Sequence, residues 1–257
     1  AFYCPTCHIL IDKIGLYENF NQLLWCVIYS NLVIYKEGMV KPGQAGTYNG
    51  LLDERSMVIQ NAILLLKKGL SLLKKGGDDK LFIALPNPKS IEKPIKDLVE
   101  QANGIFCGAM TFTLLHKYAH HFYGHTKYSP TNSDQAKKEE FDADDYAFDK
   151  IMDVFDSEKG DTLKVGTFLL MVSLMMTGKS LSGGKNHPDI HLRIERQIKR
   201  LDLNENDSVY ALITLGVKSW ALTYDHTLSI HDKDFASLRE AFEWGMEELK
   251  RLRLLEQ

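Results

Sequence analysis

Apolar residues recur at steps of three and four through residues 17–35, 51–73, 95–123, 136–155, 162–176, 190–201, 208–224 and 235–255. That period is the signature of a helix that buries one face, and repeated along most of a chain it predicts a mainly α protein built by packing helices on each other. Breaker-rich segments separate the stretches: "KPGQAGTYNG", "KKGGDD", "SPTNSD", "SLSGGKNHP" and "LNEND", all loop compositions. One segment reads differently. "KLFIALPNP", residues 80–88, is short, rich in Phe, Ile and Leu, and bounded by "GGDD" and two prolines, which predicts a small strand or short sheet near residues 80–86. After it, Ser90 suits a helix N-cap and Pro94 suits a first turn.

The 257 residues are enough to bury a sizeable core. They are read as one domain: a helical part over 1–78, a core carrying the motifs over 79–201, and closing helices over 202–257. Net charge is -3, which makes no electrostatic case for nucleic acid or an anionic membrane. "LLKKGLSLLKKGG" lies within a helical pattern, so its lysines read as a solvated face. The most apolar stretch, residues 165–178, is shorter than the ~20 residues a membrane span needs and reads as a buried core helix, so no transmembrane segment is expected. Four cysteines make no disulfide scaffold in a chain this long, and a reducing, cytoplasmic setting is the expectation. Cys26 and Cys107 read as buried thiols. "CPTCH", from Cys4 to His8, has the spacing of half a zinc knuckle or of a redox pair, but no second C-x-x-C accompanies it.

"LLHKYAHHFYGH", residues 114–125, holds four histidines. On a helix, His116 and His120 lie one turn apart and can aim two imidazole nitrogens at one metal ion. Taken alone the pair reads as surface or packing histidines, and His121 with His125 has the same spacing. The apolar "MTFTLL" before His116 changes that reading, because burial is costly for unpartnered imidazoles. A third ligand is available in "KKEEFDADDYAFDKI": Glu140 can complete a first shell, and Asp144, one turn on, can accept a hydrogen bond from the outer nitrogen of a ligand histidine. An acidic helix start favouring the macrodipole accounts for the same residues. In "NHPDIHLRIERQ", residues 186–197, His187 stands before a helix as an electrophile or hydrogen-bond donor, and Arg193 or Arg196 can anchor Asp144 or another buried acid. A loop histidine and surface arginines are the plainer account of that segment alone.

Together, "HKYAH", "EFDAD" and "HPDIHLRIERQ", in that order, resemble the gluzincin metallopeptidases, in which HExxH lies on one helix and a glutamate ligand in an E-x-x-A-D pattern on a later one. Without membrane helices, the chain is most similar to the soluble Lit-type phage-exclusion peptidases of bacteria. The matched motifs span roughly a third of the protein. The resemblance implies a zincin-like α+β fold and a zinc-dependent endopeptidase acting on a protein or peptide substrate. It also implies His116, His120 and Glu140 as ligands, Asp144 and Arg193 behind them, a substrate-pairing role for the strand, and a part in host or phage defence.

Lys117 departs from the pattern. The family mechanism needs a carboxylate there, to take a proton from the attacking water and pass it to the leaving amine. An ammonium cannot do this, and two unit charges ~4 Å apart at an effective dielectric near 20 repel by about 4 kcal/mol, so it also opposes a dication. The expectation is a metallopeptidase that is inactive as written. Three alternatives stay open: a lysine made neutral and basic by burial, a zincin-derived module that only binds protein, and a hydrolase of a non-peptide bond.

Overall fold

The computed structural model describes residues 14–39, 57–75, 93–153, 160–229 and 235–256. Within them run eight α-helices: α1 (Ile14–Met39), α2 (Met57–Lys75), α3 (Lys93–Phe122), α4 (Ser133–Met152), α5 (Gly160–Met176), α6 (Ile190–Ile198), α7 (Ser208–Thr223) and α8 (Leu238–Leu254). Each falls on a segment whose apolar period predicts it. The mainly α expectation holds, and no strand is present among the described residues. The strand expected at residues 80–86, the Ser90 cap and the "CPTCH" motif all lie outside those residues.

Local chemistry sets the helix ends. Asn132 caps α4 by accepting a hydrogen bond from the Gln135 amide, Asp207 does the same for Val209 at α7, and Ser237 for Glu240 at α8, each satisfying an N–H that has no partner within the helix. Pro94 falls in the first turn of α3, where a missing N–H removes no helical bond.

Helix α5 sits at the centre and touches α1, α3, α4, α6 and α7. Over residues 164–176 only Leu174 escapes full burial. A helix enclosed on all sides has no use for a polar stripe, which accounts for the even apolarity of this segment. Helix α7 is similar, buried throughout residues 209–221, and the indole N–H of its Trp220 donates to the Gly178 carbonyl at 2.9 Å. No described helix is long and apolar enough to cross a membrane. Lys67 and Lys68 of α2 are exposed, as their placement in a solvated face predicts. Cys26 is buried, and burial pushes its thiol up to about 12. Cys107 corrects the expectation of a second buried thiol: it is exposed, because the buried stripe of α3 runs through Ala102, Ile105, Ala109 and Phe112 and leaves position 107 on the outer side.

Helices α3 and α5 cross in near backbone contact. A Cβ on Gly166 would lie 2.6 Å from both the Ala109 nitrogen and the Ile105 oxygen. Gly166→Ala should therefore push the two helices apart and lower stability by about 1–3 kcal/mol, as read by denaturant unfolding; a variant as stable as the parent would contradict this crossing. The same crossing holds the middle of α3, and with it the register of the histidines one to three turns further on.

Candidate metal centre

The buried stripe of α3 continues from Phe112 through His116 and Ala119 to His120. Helix α4 presents a matching face in which carboxylates interrupt the apolar pattern: Ala136, Glu139, Glu140, Ala143, Asp144, Ala147, Phe148 and Ile151 are all buried. Carboxylates on the inner face of a helix are expensive unless something opposite compensates them. Opposite are the histidines. His116 Nε2 and His120 Nε2 approach to 3.2 Å, Glu140 Oε2 lies 3.5 Å from His116 Nε2, and Glu140 Oε1 lies 3.3 Å from His120 Nε2. One donor atom from each of the three falls within 4.8 Å of the others. Two imidazole nitrogens and a carboxylate, buried and converging on one point, fit a divalent cation that takes nitrogen and oxygen donors at about 2 Å.

Behind this group, His116 Nδ1 meets Asp144 Oδ1 at 2.9 Å. Asp144 is fully buried and receives the Arg193 fork through Nε and Nη2, both at 2.7 Å. The chain His116–Asp144–Arg193 thus joins α3, α4 and α6. Arg196 and Gln197 of α6, with Arg200 just beyond its end, bind Asp145 on the outer side of α4, so Arg196, the other candidate anchor, serves the neighbouring acid. His187 Nδ1 lies 3.1 Å from Glu140 Oε2 while its side chain stays 43% exposed, which places it at the rim. Its loop is tied down by Ser133 Oγ donating to the Lys185 carbonyl at 2.6 Å and by Asp189, which accepts from the Gly183 amide and from Arg253.

Burial alone would raise Glu140, but hydrogen bonds from His116, His120 and His187 carry its carboxyl far below the ordinary range. Burial alone would lower His116, but hydrogen bonds to Asp144 and Glu140 outweigh it and raise its pKa. A protonated His116 can donate from Nδ1 to Asp144 and from Nε2 towards Glu140. Asp144 is raised by burial and lowered more by Arg193 and His116, to about 2. A depressed carboxylate contributes stability that is present above its unfolded value of 3.8 and lost as pH falls through its folded one. Metal-free protein should therefore lose on the order of 2 kcal/mol between pH 4 and 2 from Asp144. Acid titration followed by circular dichroism checks this, and an unchanged acid midpoint in Asp144→Asn would contradict it.

The fold thus brings His116, His120, Glu140, Asp144, His187 and Arg193 together. Lys117 follows His116 on α3 and is partly buried. His125 is a residue that the sequence pattern does not single out. Helix α3 ends at Phe122, so His121 and His125 do not share a helical face; His121 is exposed, whereas His125 is buried in a 3-10 turn, His125–Lys127. Its Nδ1 lies 3.2 Å from His120 Nδ1, and burial lowers its pKa. The only signal in the sequence is the glycine before it.

Fold and donor set define a helical protein with a buried His-His-Glu group of the kind mononuclear metallohydrolases use. The chain belongs to the Peptidase U49 family, whose family model matches residues 14–213, and it is a peptidase by that membership. No curated protein and no solved structure matches it.

Proposed function

We propose that the chain is a zinc endopeptidase of this family with its general base replaced, so that as written it is catalytically silent. His116, His120 and Glu140 would hold zinc, which supplies a Lewis acid for activating water and polarising a peptide carbonyl. Asp144, fixed by Arg193, sets the tautomer of His116. His187, at the rim beside Glu140, is placed to donate a hydrogen bond to a substrate oxygen as charge develops on it. Lys117 stands where the reaction needs a carboxylate. The substrate is a protein, as the family implies; cytoplasmic action in host or phage defence, by one domain over 1–257, belongs to the same reading.

The observation that carries it is the convergence of the His116, His120 and Glu140 donors in a buried site on two helices. Zinc content and proteolysis of a host-cell extract, measured for this chain and for Lys117→Glu, test it. Zinc in the glutamate form together with metal-dependent cleavage supports the proposal; a glutamate form that takes up no zinc removes it. Lys117 itself favours one second reading, a scaffold that binds protein without cutting it, which predicts zinc uptake by Lys117→Glu with no cleavage.

A further inference from the structure

Asp144 supports His116 but not His120, whose outer nitrogen meets a different residue. After α3 stops, Gly124 adopts φ 76°, a left-handed conformation that favours glycine. Its carbonyl accepts from the Lys127 amide at 3.0 Å, closing the turn. The turn folds His125 back, and its ring meets that of His120 in a T-shaped arrangement, with centroids 5.2 Å apart and planes at 69°, leaving the two Nδ1 atoms 3.2 Å apart. The Tyr123 ring, 5.6 Å away, packs beside it.

Only one of two facing ring nitrogens carries the proton in such a pair. His120 Nε2 points into the cluster, 3.3 Å from Glu140 Oε1, and a nitrogen that ligates a cation must be bare. The proton of His120 then sits on Nδ1 and is donated outward, and His125 accepts it on a bare Nδ1 while keeping its own proton on Nε2. We infer that His125 is a positioning residue that fixes the tautomer and ring plane of His120 for metal binding, an inference that rests on the metal reading above. The two ligand histidines are thereby supported unlike each other: His116 by an anion locked to Arg193, His120 by a neutral ring held in a glycine turn. Partners of this kind typically change metal affinity by roughly 10- to 100-fold.

The test is zinc affinity, by competition with a chromophoric chelator, for the full chain and its Lys117→Glu form, each with His125→Leu and with His125→Asn. His125→Leu removes the acceptor, whereas the Asn amide oxygen can replace it. The expected result is a loss of roughly 10- to 100-fold for His125→Leu and recovery to within about threefold for His125→Asn, with helix content unchanged. Equal losses in both, or no loss in either, overturn the inference while leaving the zinc site standing. Failure of every form to take up zinc overturns the metal reading and this inference together. Should His125→Leu not fold, nitrogen-15 spectra of the zinc-loaded, otherwise unsubstituted Lys117→Glu protein decide. A His120 Nδ1 proton protected from exchange supports the inference, and one that exchanges freely overturns it.

Discussion

Lys117→Glu should bind zinc at least tenfold more tightly than the chain as written and should gain metal-dependent proteolysis by roughly 10²- to 10⁴-fold over its background. The first effect is electrostatic. An ammonium and a unit positive charge ~4 Å apart repel by about 4 kcal/mol at an effective dielectric near 20, and about a third of that figure already corresponds to tenfold in affinity. Lys117 is only partly buried, so solvent screens part of the repulsion. Replacing the ammonium by a carboxylate removes the repulsion and adds attraction. The second effect is chemical. A carboxylate at this position can accept a proton from water and return it to the leaving amine, which general acid–base catalysis typically values at 10²- to 10⁴-fold. Chelator competition reads the first effect, and cleavage of host-cell extract with and without chelator reads the second. Equal zinc affinity in both forms would mean that the Lys117 charge does not act on the site. Tighter zinc binding with no cleavage would favour the binding scaffold.

The other large effect belongs to Asp144. Asp144→Ala removes the carboxylate that takes two hydrogen bonds at 2.7 Å from the Arg193 guanidinium, a group that is 8% exposed. Breaking a buried pair by removing one partner costs about 3–5 kcal/mol, which for a protein of this size lowers the melting temperature by roughly 10 °C. The loss should exceed that of the double variant Asp144→Ala/Arg193→Met, because the double variant no longer buries a guanidinium that has lost its carboxylate. Zinc affinity in the Lys117→Glu background should also fall by roughly 10- to 100-fold, since His116 loses the acceptor on its Nδ1. Thermal unfolding of the two variants beside the parent checks the first claim. If the single variant melts with the parent, the pair is not the buried clamp described for α3, α4 and α6.

The acids of α4 show why part of the site is legible in the sequence. Glu140 and Asp144 fall on the same stripe as Ala136, Ala143 and Ala147, so the period that buries the alanines also buries the carboxylates, and a buried carboxylate requires a partner. The i,i+4 spacing of His116 and His120 offers one. His125 is not legible in the same way, because its role depends on α3 ending at Phe122 and on the turn through Gly124. Periodic spacing carries no information once the helix stops. Cys107 departs from expectation for a related reason: an apolar neighbourhood in sequence includes both sides of a helix, and only packing against α5 decides which side is covered.

Sequence alone located the eight helical segments and offered His116, His120, Glu140 and Asp144 as residues able to share a buried site, because these follow from a 3.6-residue period and the cost of burying polar groups. It also placed Lys117 directly after His116, where the resemblance to the gluzincins implies a carboxylate. Only the tertiary structure decided which arginine of α6 reaches Asp144 and which goes to Asp145, that His187 faces Glu140 from the rim, and that His125 returns to His120. Those pairings join residues 5 to 51 positions apart, and such contacts depend on helix crossings and turn geometry that no local pattern encodes.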